Sequence, residues 1–173
     1  MKTTSFAGWP CTIARAADLV GDGWTLLVLR EVYYGENRFD AFIGSLGIAR
    51  STLTDRLRKL VDAGLLERRE YQTEPLRHEY VLTESGREFF AVMAALKTWG
   101  DRWQHQGKEL PVTLVHDACG HELEAAVVCA HCGEAVRLEQ THARPGPGFP
   151  RRLLDNPQIA ARFSQAIRPA PLD

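Results

Sequence analysis

The sequence predicts an α+β fold, and three features of the chain carry that prediction. Apolar residues recur at helical spacing over residues 38–46 and 49–63. Two strand-like runs follow at 65–72 and 78–82, joined by a polar turn. Valine-rich pieces alternate with tight cysteine turns over 112–142. Helix, turn, helix and hairpin is the order of a winged helix-turn-helix, and the last stretch predicts a small separate β domain.

Two further helices are predicted before this core. Residues 11–20 and 24–34 have helical patterns, and the glycines at 21 and 23 separate them. The second of these helices is apolar on most sides, which predicts that it lies centrally in the core. The first predicted helix is available to flank the core.

The helix over 49–63 has the two faces that a recognition helix needs. Its buried face is predicted from Leu53, Leu57, Leu60 and Val61. The opposite face carries Ser51, Asp55, Arg58, Lys59 and Asp62, with Thr52 beside it. Hydroxyls can donate to DNA phosphates, and the cations can reach phosphates or guanine edges. An ordinary amphipathic surface helix would have the same pattern, so the helix alone does not decide between the two.

The hairpin after this helix favours the DNA-binding interpretation, because a wing with cations can lie along the DNA backbone or minor groove. The candidate DNA-binding residues are Arg50, Ser51, Thr52, Asp55, Arg58 and Lys59 on the helix, and Arg68, Arg69, Arg77 and His78 on the hairpin. The charge balance argues the other way. Residues 50–70 hold six cations against four acids, and the whole chain has net charge −1. Tight non-specific binding to nucleic acid is therefore not expected.

A long helix over 84–104 is predicted to start at Thr83 as its N-cap. It carries an apolar stripe of Phe89, Val92, Met93, Leu96, Trp99 and Trp103. These side chains could complete the core of one chain, but the stripe is larger than a small core needs. The stripe therefore favours a homodimer.

Residues 11–104 resemble the HxlR-type branch of the MarR-like winged-helix transcription regulators. The resemblance is carried by GDGWTLLVLRE at 21–31, RFDAF at 38–42, STLTDRLRKLVDAGLLERREY at 51–71 and EYVLTESG at 79–86. It implies a homodimer that binds a palindromic operator in double-stranded DNA and is released by a small effector or a thiol modification. We expect the protein to act as a repressor. We assign residues 1–110 to this DNA-binding and dimerisation domain.

The residues from 111 to 143 are predicted to form a zinc-ribbon-like domain. An H-x-x-C-G turn at 116–120 and a C-x-x-C-G turn at 129–133 each present two metal ligands beside a glycine. Four such ligands suit a structural, tetrahedral Zn²⁺. The predicted ligands are Cys119, Cys129 and Cys132 with His116, and the alternative histidines are His121 and His131. Buried free cysteines, a disulfide between the last two cysteines, or turns kept without metal are the competing interpretations.

The segment 144–173 holds six of the nine prolines and five arginines, which is a linker-like composition. A short helix is predicted over residues 156–167, with Ile159, Phe163 and Ile167 on one side. The segment is interpreted as a mobile tail, or alternatively as an arm that touches DNA or the partner subunit.

No catalytic constellation is present in the sequence, so an enzyme is not expected. No apolar run has the length of a membrane span, and the N-terminus has no signal region, so a cytoplasmic protein is expected. The alternative function is a winged-helix interaction module with structural zinc and no specific DNA binding.

Two inputs for a regulator can be named from the sequence. Cys11 stands at a predicted helix start, where thiolate chemistry is favoured, and the resemblance places a sensing cysteine there. A small apolar residue at a helix start would explain it equally well. An apolar pocket between the flanking helices and the winged core is the other input.

Overall fold

The computed structural model describes residues 5–105, 107 and 109–164. The chain divides into two compact units, Met1–Ala125 and Ala126–Asp173. The domain ranges predicted from the sequence, 1–110, 111–143 and 144–173, divide the chain differently and stay predictions. No helix within the described ranges is long and apolar enough to cross a membrane.

The first unit confirms the predicted winged helix-turn-helix. Its helices are α1 (Thr12–Val20), α2 (Gly23–Tyr33), α3 (Phe39–Leu46), α4 (Arg50–Asp62), α5 (Glu84–Glu88) and α6 (Phe90–Trp103). The antiparallel wing is formed by β1 (Leu66–Thr73) and β2 (Leu76–Leu82), and a small second hairpin by β3 (Val115–His116) and β4 (His121–Glu122). The wing directly follows the recognition helix, as the sequence order requires.

Local chemistry fixes the ends of the central helices. Asp22 caps α2, since its carboxylate accepts from the Thr25 amide at 3.1 Å and from the Thr25 hydroxyl at 2.6 Å. Gly64 follows α4 with φ 73°, a left-handed conformation that favours glycine. The chain can therefore leave α4 and enter the wing after three connecting residues.

The core is built from α2, α3, α4 and the start of the wing. Its fully buried apolar side chains are Val28 and Leu29 on α2, Phe42 on α3, Leu53, Leu57 and Leu60 on α4, and Leu66 on β1. Helix α2 contacts α1, α3, α4, α6 and β2, so it lies centrally as its pattern predicts. Burial of these side chains, at about 25 cal/mol per Å² of apolar surface, holds α4 with its polar face outward.

The prediction of one long helix over 84–104 is wrong in one respect, because the chain forms two helices, α5 and α6, divided at Phe89. Thr83 caps α5 as predicted, accepting from the Gly86 amide at 3.1 Å. Gly86 packs so closely on the wing that a Cβ there would lie 2.1 Å from the Leu65 carbonyl oxygen. The Gly86 carbonyl accepts a hydrogen bond from the Tyr33 hydroxyl of α2 at 2.6 Å. This contact lies close to the point where the helix is divided.

The second unit has little regular structure. It contains a bridge between Val128 and Ala135, two short 3-10 turns (Leu138–Gln140 and Arg151–Leu153) and helix α7 (Pro157–Ser164). Phe149 packs edge-to-face on Phe163 of α7, with ring centroids 5.1 Å apart. The helix predicted over 156–167 thus forms in its first part, and its Ile167 lies outside the described residues.

Candidate nucleic-acid interface

Helix α4 buries its leucine face and leaves the opposite face open. Of the predicted DNA-binding side chains on this helix, Arg50, Ser51, Asp55 and Arg58 are exposed, and Thr52 and Lys59 are half-buried. Arg58 donates to the Asp55 carboxylate at 2.9 Å, and Arg50 donates to Asp40 at 2.8 Å. Such exposed pairs contribute about 0.2–1 kcal/mol, so either guanidinium can exchange its carboxylate for a phosphate at small cost.

Lys59 is placed differently from its neighbour Arg58. Its ammonium donates to the Asp18 carbonyl near the end of α1, at 2.5 Å. One turn earlier, Arg56 donates to the Asp22 carboxylate at 2.9 Å. These two cations therefore join the recognition helix to the α1–α2 corner. The sequence pattern did not separate Lys59 from the outward face and gave no role to Arg56; the predicted DNA contact of Lys59 stays a prediction.

The Asp22 carboxylate is the charged centre of this corner. Burial raises its pKa, but the hydrogen bonds from Thr25 and the nearby Arg56 guanidinium outweigh burial together, so its pKa lies below the ordinary 3.8. The carboxylate therefore favours its ionised form, which both caps α2 and holds Arg56 on α4. The negative charge of Asp22 therefore links α2 to α4.

The wing presents its two neighbouring arginines to opposite sides, because side chains alternate along a strand. Arg68 pairs in register with Tyr80, and Arg69 pairs with Glu79. Arg69 is ion-paired with Glu67 on its own face of the strand. Arg68 instead faces α4, on the same side of the sheet as the buried Leu66.

A groove of about 340 Å³ lies between α4 and the wing. Thr54 and Arg58 line it from the helix, and Arg68 and Tyr80 line it from the wing. Burial raises the pKa of Tyr80, and Arg68 partly opposes that rise, so the hydroxyl stays protonated and able to donate. The groove brings two guanidiniums and the Tyr80 hydroxyl together, which can donate to a DNA phosphate, and the Asp62 carboxylate lines the same groove. Sequence reasoning did not single out Thr54 or Tyr80.

The remaining predicted wing cations lie nearer the hairpin end. Arg77 is exposed and pairs in register with Gln72. His78 is partly buried, and its Nε2 is 3.9 Å from a Glu70 carboxylate oxygen. Arg77 is therefore the more accessible of the two for a nucleic-acid backbone.

The segment before α3 steadies the wing from the other side. The Asn37 carbonyl accepts from the Tyr80 amide at 2.8 Å, and Arg38 forms a bridge with Glu79. The Arg38 guanidinium also stacks over the Tyr71 ring, 4.4 Å from its centroid. The wing is thus held against the segment before α3 by backbone pairing as well as by packing.

The family model for HxlR-like helix-turn-helix proteins matches residues 19–108, which spans α2 to α6 together with the end of α1. The chain belongs to the HxlR family. It is a transcription regulator of the helix-turn-helix type, and the family and its relatives are regulators rather than enzymes, as the sequence predicted.

Relatives of this HxlR-family chain are regulators in several organisms. A helix-turn-helix transcriptional regulator of Mycobacterium tuberculosis is 44% identical over 142 residues, covering 82% of this chain and 90% of the relative. Another from Synechocystis is 39% identical over 100 residues, covering 57% of this chain and 74% of the relative.

Solved structures agree with the fold. The crystal structure of PA1607, described as a candidate transcription factor, covers 83% of this chain and 100% of its own, with 33% identity and a TM-score of 0.75. The redox regulator HypR in its reduced form covers 57% of this chain and 100% of its own, with 28% identity and a TM-score of 0.51.

The two predicted metal-binding turns of this HxlR-family chain each form a tight turn. In the first unit, the Cys119 and Gly120 amides donate to the His116 carbonyl at 3.1 and 2.8 Å, and His116 Nδ1 is 3.4 Å from Cys119 Sγ. The alternative ligand His121 begins β4, outside this turn.

In the second unit, the Gly133 amide donates to the Cys129 carbonyl at 2.8 Å. Hydrogen bonds from the His131 and Cys132 amides lower the pKa of Cys129. Both turn glycines, Gly120 and Gly133, have positive φ, at 73° and 75°. Within either unit, the described residues contain no group of three or more His, Cys, Asp or Glu side chains close enough to hold a metal.

Cys11 occupies the N-cap position of α1, where the sequence places it. Its thiol is exposed, and its carbonyl accepts from the Arg15 amide at 3.1 Å. An exposed thiol at this position is accessible to a modifying reagent.

Proposed function

We propose that this HxlR-family protein is a homodimeric repressor that binds a palindromic operator in the cytoplasm through α4 and the wing. A small effector or a modified thiol releases it from DNA. The observation that carries the proposal is the groove between α4 and the wing, where Arg58 and Arg68 converge. A phosphate held there fixes the DNA backbone, and Ser51 and Thr52 at the start of α4 then lie near the base edges.

The charges of α4 and the wing are nearly balanced, with six cations against four acids over residues 50–70. This balance fits a DNA-binding surface whose affinity depends on where each charge lies rather than on a large net positive charge. Arg50 and Arg58 on α4 each have a carboxylate neighbour. Non-specific attraction to DNA is therefore weak, and a correctly placed phosphate or base must displace a carboxylate. This arrangement supports a specific, salt-sensitive operator complex.

Exposed apolar side chains on the flanking helices support a homodimer. Ile13 on α1 is 78% exposed, and Trp99 and Trp103 on α6 are 53% and 65% exposed. Large apolar side chains clustered on one helix mark an interaction surface. In a two-fold dimer, the recognition helices would enter major grooves about 34–36 Å apart.

The Lys59 and Arg56 contacts give the regulator a route from α1 to the recognition helix. Asp18 near the end of α1 accepts from Lys59 through its carbonyl, and its carboxylate accepts from the Phe6 amide at 2.9 Å. An adduct at Cys11 would displace α1 and the residues before it, including Phe6. The contact of Lys59 with Asp18 would transmit this displacement to α4. This path supports Cys11 as one input, and the apolar pocket predicted between the flanking helices and the winged core is the other.

We also propose one structural Zn²⁺ bound by His116, Cys119, Cys129 and Cys132. The support is local: each turn presents two ligands at spacing three, and each bends at a glycine with positive φ. The lowered pKa of Cys129 also favours the thiolate that zinc requires. Four protein ligands would give the metal a structural rather than a catalytic role.

The proposal is tested with the purified full-length protein and fragments of DNA from upstream of its own gene. Wild type is expected to retain a fragment with an inverted repeat, and Arg58→Ala is expected to lose about tenfold in affinity, the cost of about one charged contact. Arg87→Ala, at an exposed arginine on α5 that does not line the groove, is the control. Equal binding by Arg58→Ala and wild type would remove α4 as the reader, and no retained fragment would favour the interaction-module alternative.

A further inference from the structure

The wing contains a β-bulge at Tyr71. Glu70 pairs with His78 and Gln72 pairs with Arg77, so Tyr71 is an extra residue on β1 and two residues of this strand stand opposite Arg77. A bulge bends its strand and increases the local twist of the pair. The two halves of the wing on either side of Tyr71 therefore run in different directions.

The part of the wing beyond the bulge, residues 72–77, is called the wing tip below, and its residues 73–77 are all exposed. The part nearer the core is anchored to the segment before α3. There the Tyr80 amide donates to the Asn37 carbonyl at 2.8 Å, and the Asn37 side-chain amide donates to the Glu79 carboxylate at 3.2 Å. This anchor lies on the core side of the bulge, so the direction of the wing tip depends on contacts that span the bulge.

The Arg38 side chain reaches from the anchored segment to the bulge. Arg38 immediately precedes α3 and is bridged to Glu79 on β2, whereas Tyr71 lies on β1. The Arg38 side chain therefore crosses β2 to place its guanidinium carbon 4.4 Å from the centroid of the Tyr71 ring. A cation–π contact at an exposed site changes an equilibrium by about two- to fivefold, so this stack favours one direction of the wing tip over others.

A direct phosphate contact is the competing role for the exposed Arg38, and the geometry of the sheet argues against it. Directly paired residues of antiparallel strands point to the same face, so Arg38, Glu79 and Arg69 share the face that lies away from α4. The Glu67 carboxylate is ion-paired with Arg69 on this face. The carboxylates of Glu67 and Glu79 would repel a phosphate there, whereas the groove proposed to hold DNA lies on the other face.

We infer that Arg38 and Tyr71 are positioning residues, whose stack fixes the direction of the wing tip and thereby places Arg77 against the DNA backbone. The stack acts in the free protein, because it removes directions that the tip would otherwise sample. A contact that is already oriented loses less conformational freedom when it binds. Only the step in which Arg77 contacts DNA rests on the proposed function; the effect of the stack on the wing tip does not.

The first arm of the test measures operator affinity of the full-length protein against salt concentration. Tyr71→Leu and Arg38→Gln are each expected to weaken binding about two- to fivefold and to keep the wild-type salt slope, because Arg77 still contacts its phosphate once the tip is ordered. Tyr71→Phe keeps the ring and is the matched control, expected to bind like wild type. Arg77→Ala is expected to lower the slope by about 0.9. Adding Tyr71→Leu to Arg77→Ala is expected to cost nothing further.

The second arm uses no DNA. Nitrogen-15 relaxation of the free protein gives the order parameter of the Arg77 amide, which reports motion of the wing tip. This order parameter is expected to fall in Tyr71→Leu and Arg38→Gln and to keep its wild-type value in Tyr71→Phe. Thermal unfolding of the same variants is expected to match wild type, which separates a local change in the wing from a loss of the fold.

The outcomes separate the inference from the proposed function. A salt slope lowered by about 0.9 in Arg38→Gln would identify Arg38 as a phosphate contact and overturn the inference. An unchanged Arg77 order parameter in Tyr71→Leu also overturns it, and so does a loss of affinity in Tyr71→Leu that persists in full beside Arg77→Ala. If wild type retains no DNA fragment, the proposed function fails, and a lowered order parameter in Tyr71→Leu still supports the stack as the contact that fixes the wing tip.

Discussion

The winged core and the C-terminal unit obtain their order in different ways. Every fully buried apolar side chain named above lies between Val28 and Leu66. In residues 126–164, the described side chains include none that is buried, and Val127 and Leu138 are 61% and 55% exposed. The first region is held by an apolar core, and the second is held by turns, one aromatic pair and, in our proposal, a metal ion.

This difference explains why the two regions have different kinds of sequence. The core needs apolar periodicity, and its helices follow from spacing alone. A unit of fewer than about 50 residues rarely supplies enough apolar burial for stability, so it depends on metal or covalent links.

Removal of zinc is expected to disorder the cysteine turns and leave the core intact. Protein purified without chelator is expected to carry about one zinc per chain, because four ligands fill one tetrahedral site. After chelation, the amide NMR signals of residues 112–142 are expected to lose their chemical-shift dispersion, while the signals of α2 and α4 keep their chemical shifts. Cys129→Ser is expected to lose the metal, and Cys11→Ser is the matched control that retains it. A metal-free protein with 112–142 fully ordered would refute the zinc proposal.

The same substitution in the two regions is expected to have very different costs. Leu57→Ala removes a side chain that is 1% exposed and is expected to lower the free energy of unfolding of the core by about 2–5 kcal/mol. Leu138→Ala removes one that is 55% exposed and is expected to change it by less than about 0.5 kcal/mol. Urea unfolding followed by α-helical circular dichroism measures both. Similar costs for the two variants would contradict the contrast.

The sequence predicted most of the core because its signals are local. The leucine face of α4, Gly64 after it and Thr83 as a cap all depend on neighbours within a few residues. The division of the long helix at Phe89 was missed, because it coincides with a close approach of Gly86 to Leu65 that no helical pattern contains. The glycine itself was the available signal.

The functional surface was predicted less well than the fold, for a related reason. Helical spacing placed Arg58 and Lys59 on one face, yet the Asp18 carbonyl holds Lys59 towards α1. Alternation along β1 could have separated Arg68 from Arg69, but only the register with Tyr80 shows which one faces α4. Long-range packing decides such cases, and a single sequence does not record it.

A smaller effect is expected at the corner that joins α2 to α4. The pKa of Asp22 is lower in the folded protein than its ordinary value, so its ionised form stabilises the fold above that value. This stabilisation is lost as the pH falls through the lowered pKa. Asp22→Asn is expected to cost about 1 kcal/mol near neutral pH, as other N-cap losses do. The difference from wild type is expected to shrink below about pH 3.8.

Asp55→Asn is the control for this pH effect, since Asp55 sits in an exposed pair with Arg58. It is expected to change stability by only a few tenths of a kcal/mol across the same range. Thermal unfolding between acidic and neutral pH measures both variants. A constant deficit of Asp22→Asn at every pH would show that its charge does not stabilise the corner.

The central claim, that DNA is held in the groove between α4 and the wing, is tested most directly by the neighbouring arginines on β1. Operator affinity is measured against salt concentration for Arg68→Ala and Arg69→Ala. Arg68→Ala is expected to bind about tenfold more weakly and to lower the salt slope by about 0.9, the loss of one phosphate contact. Arg69→Ala, on the other face, is expected to match wild type. Equal losses, or a larger loss for Arg69→Ala, would contradict the account.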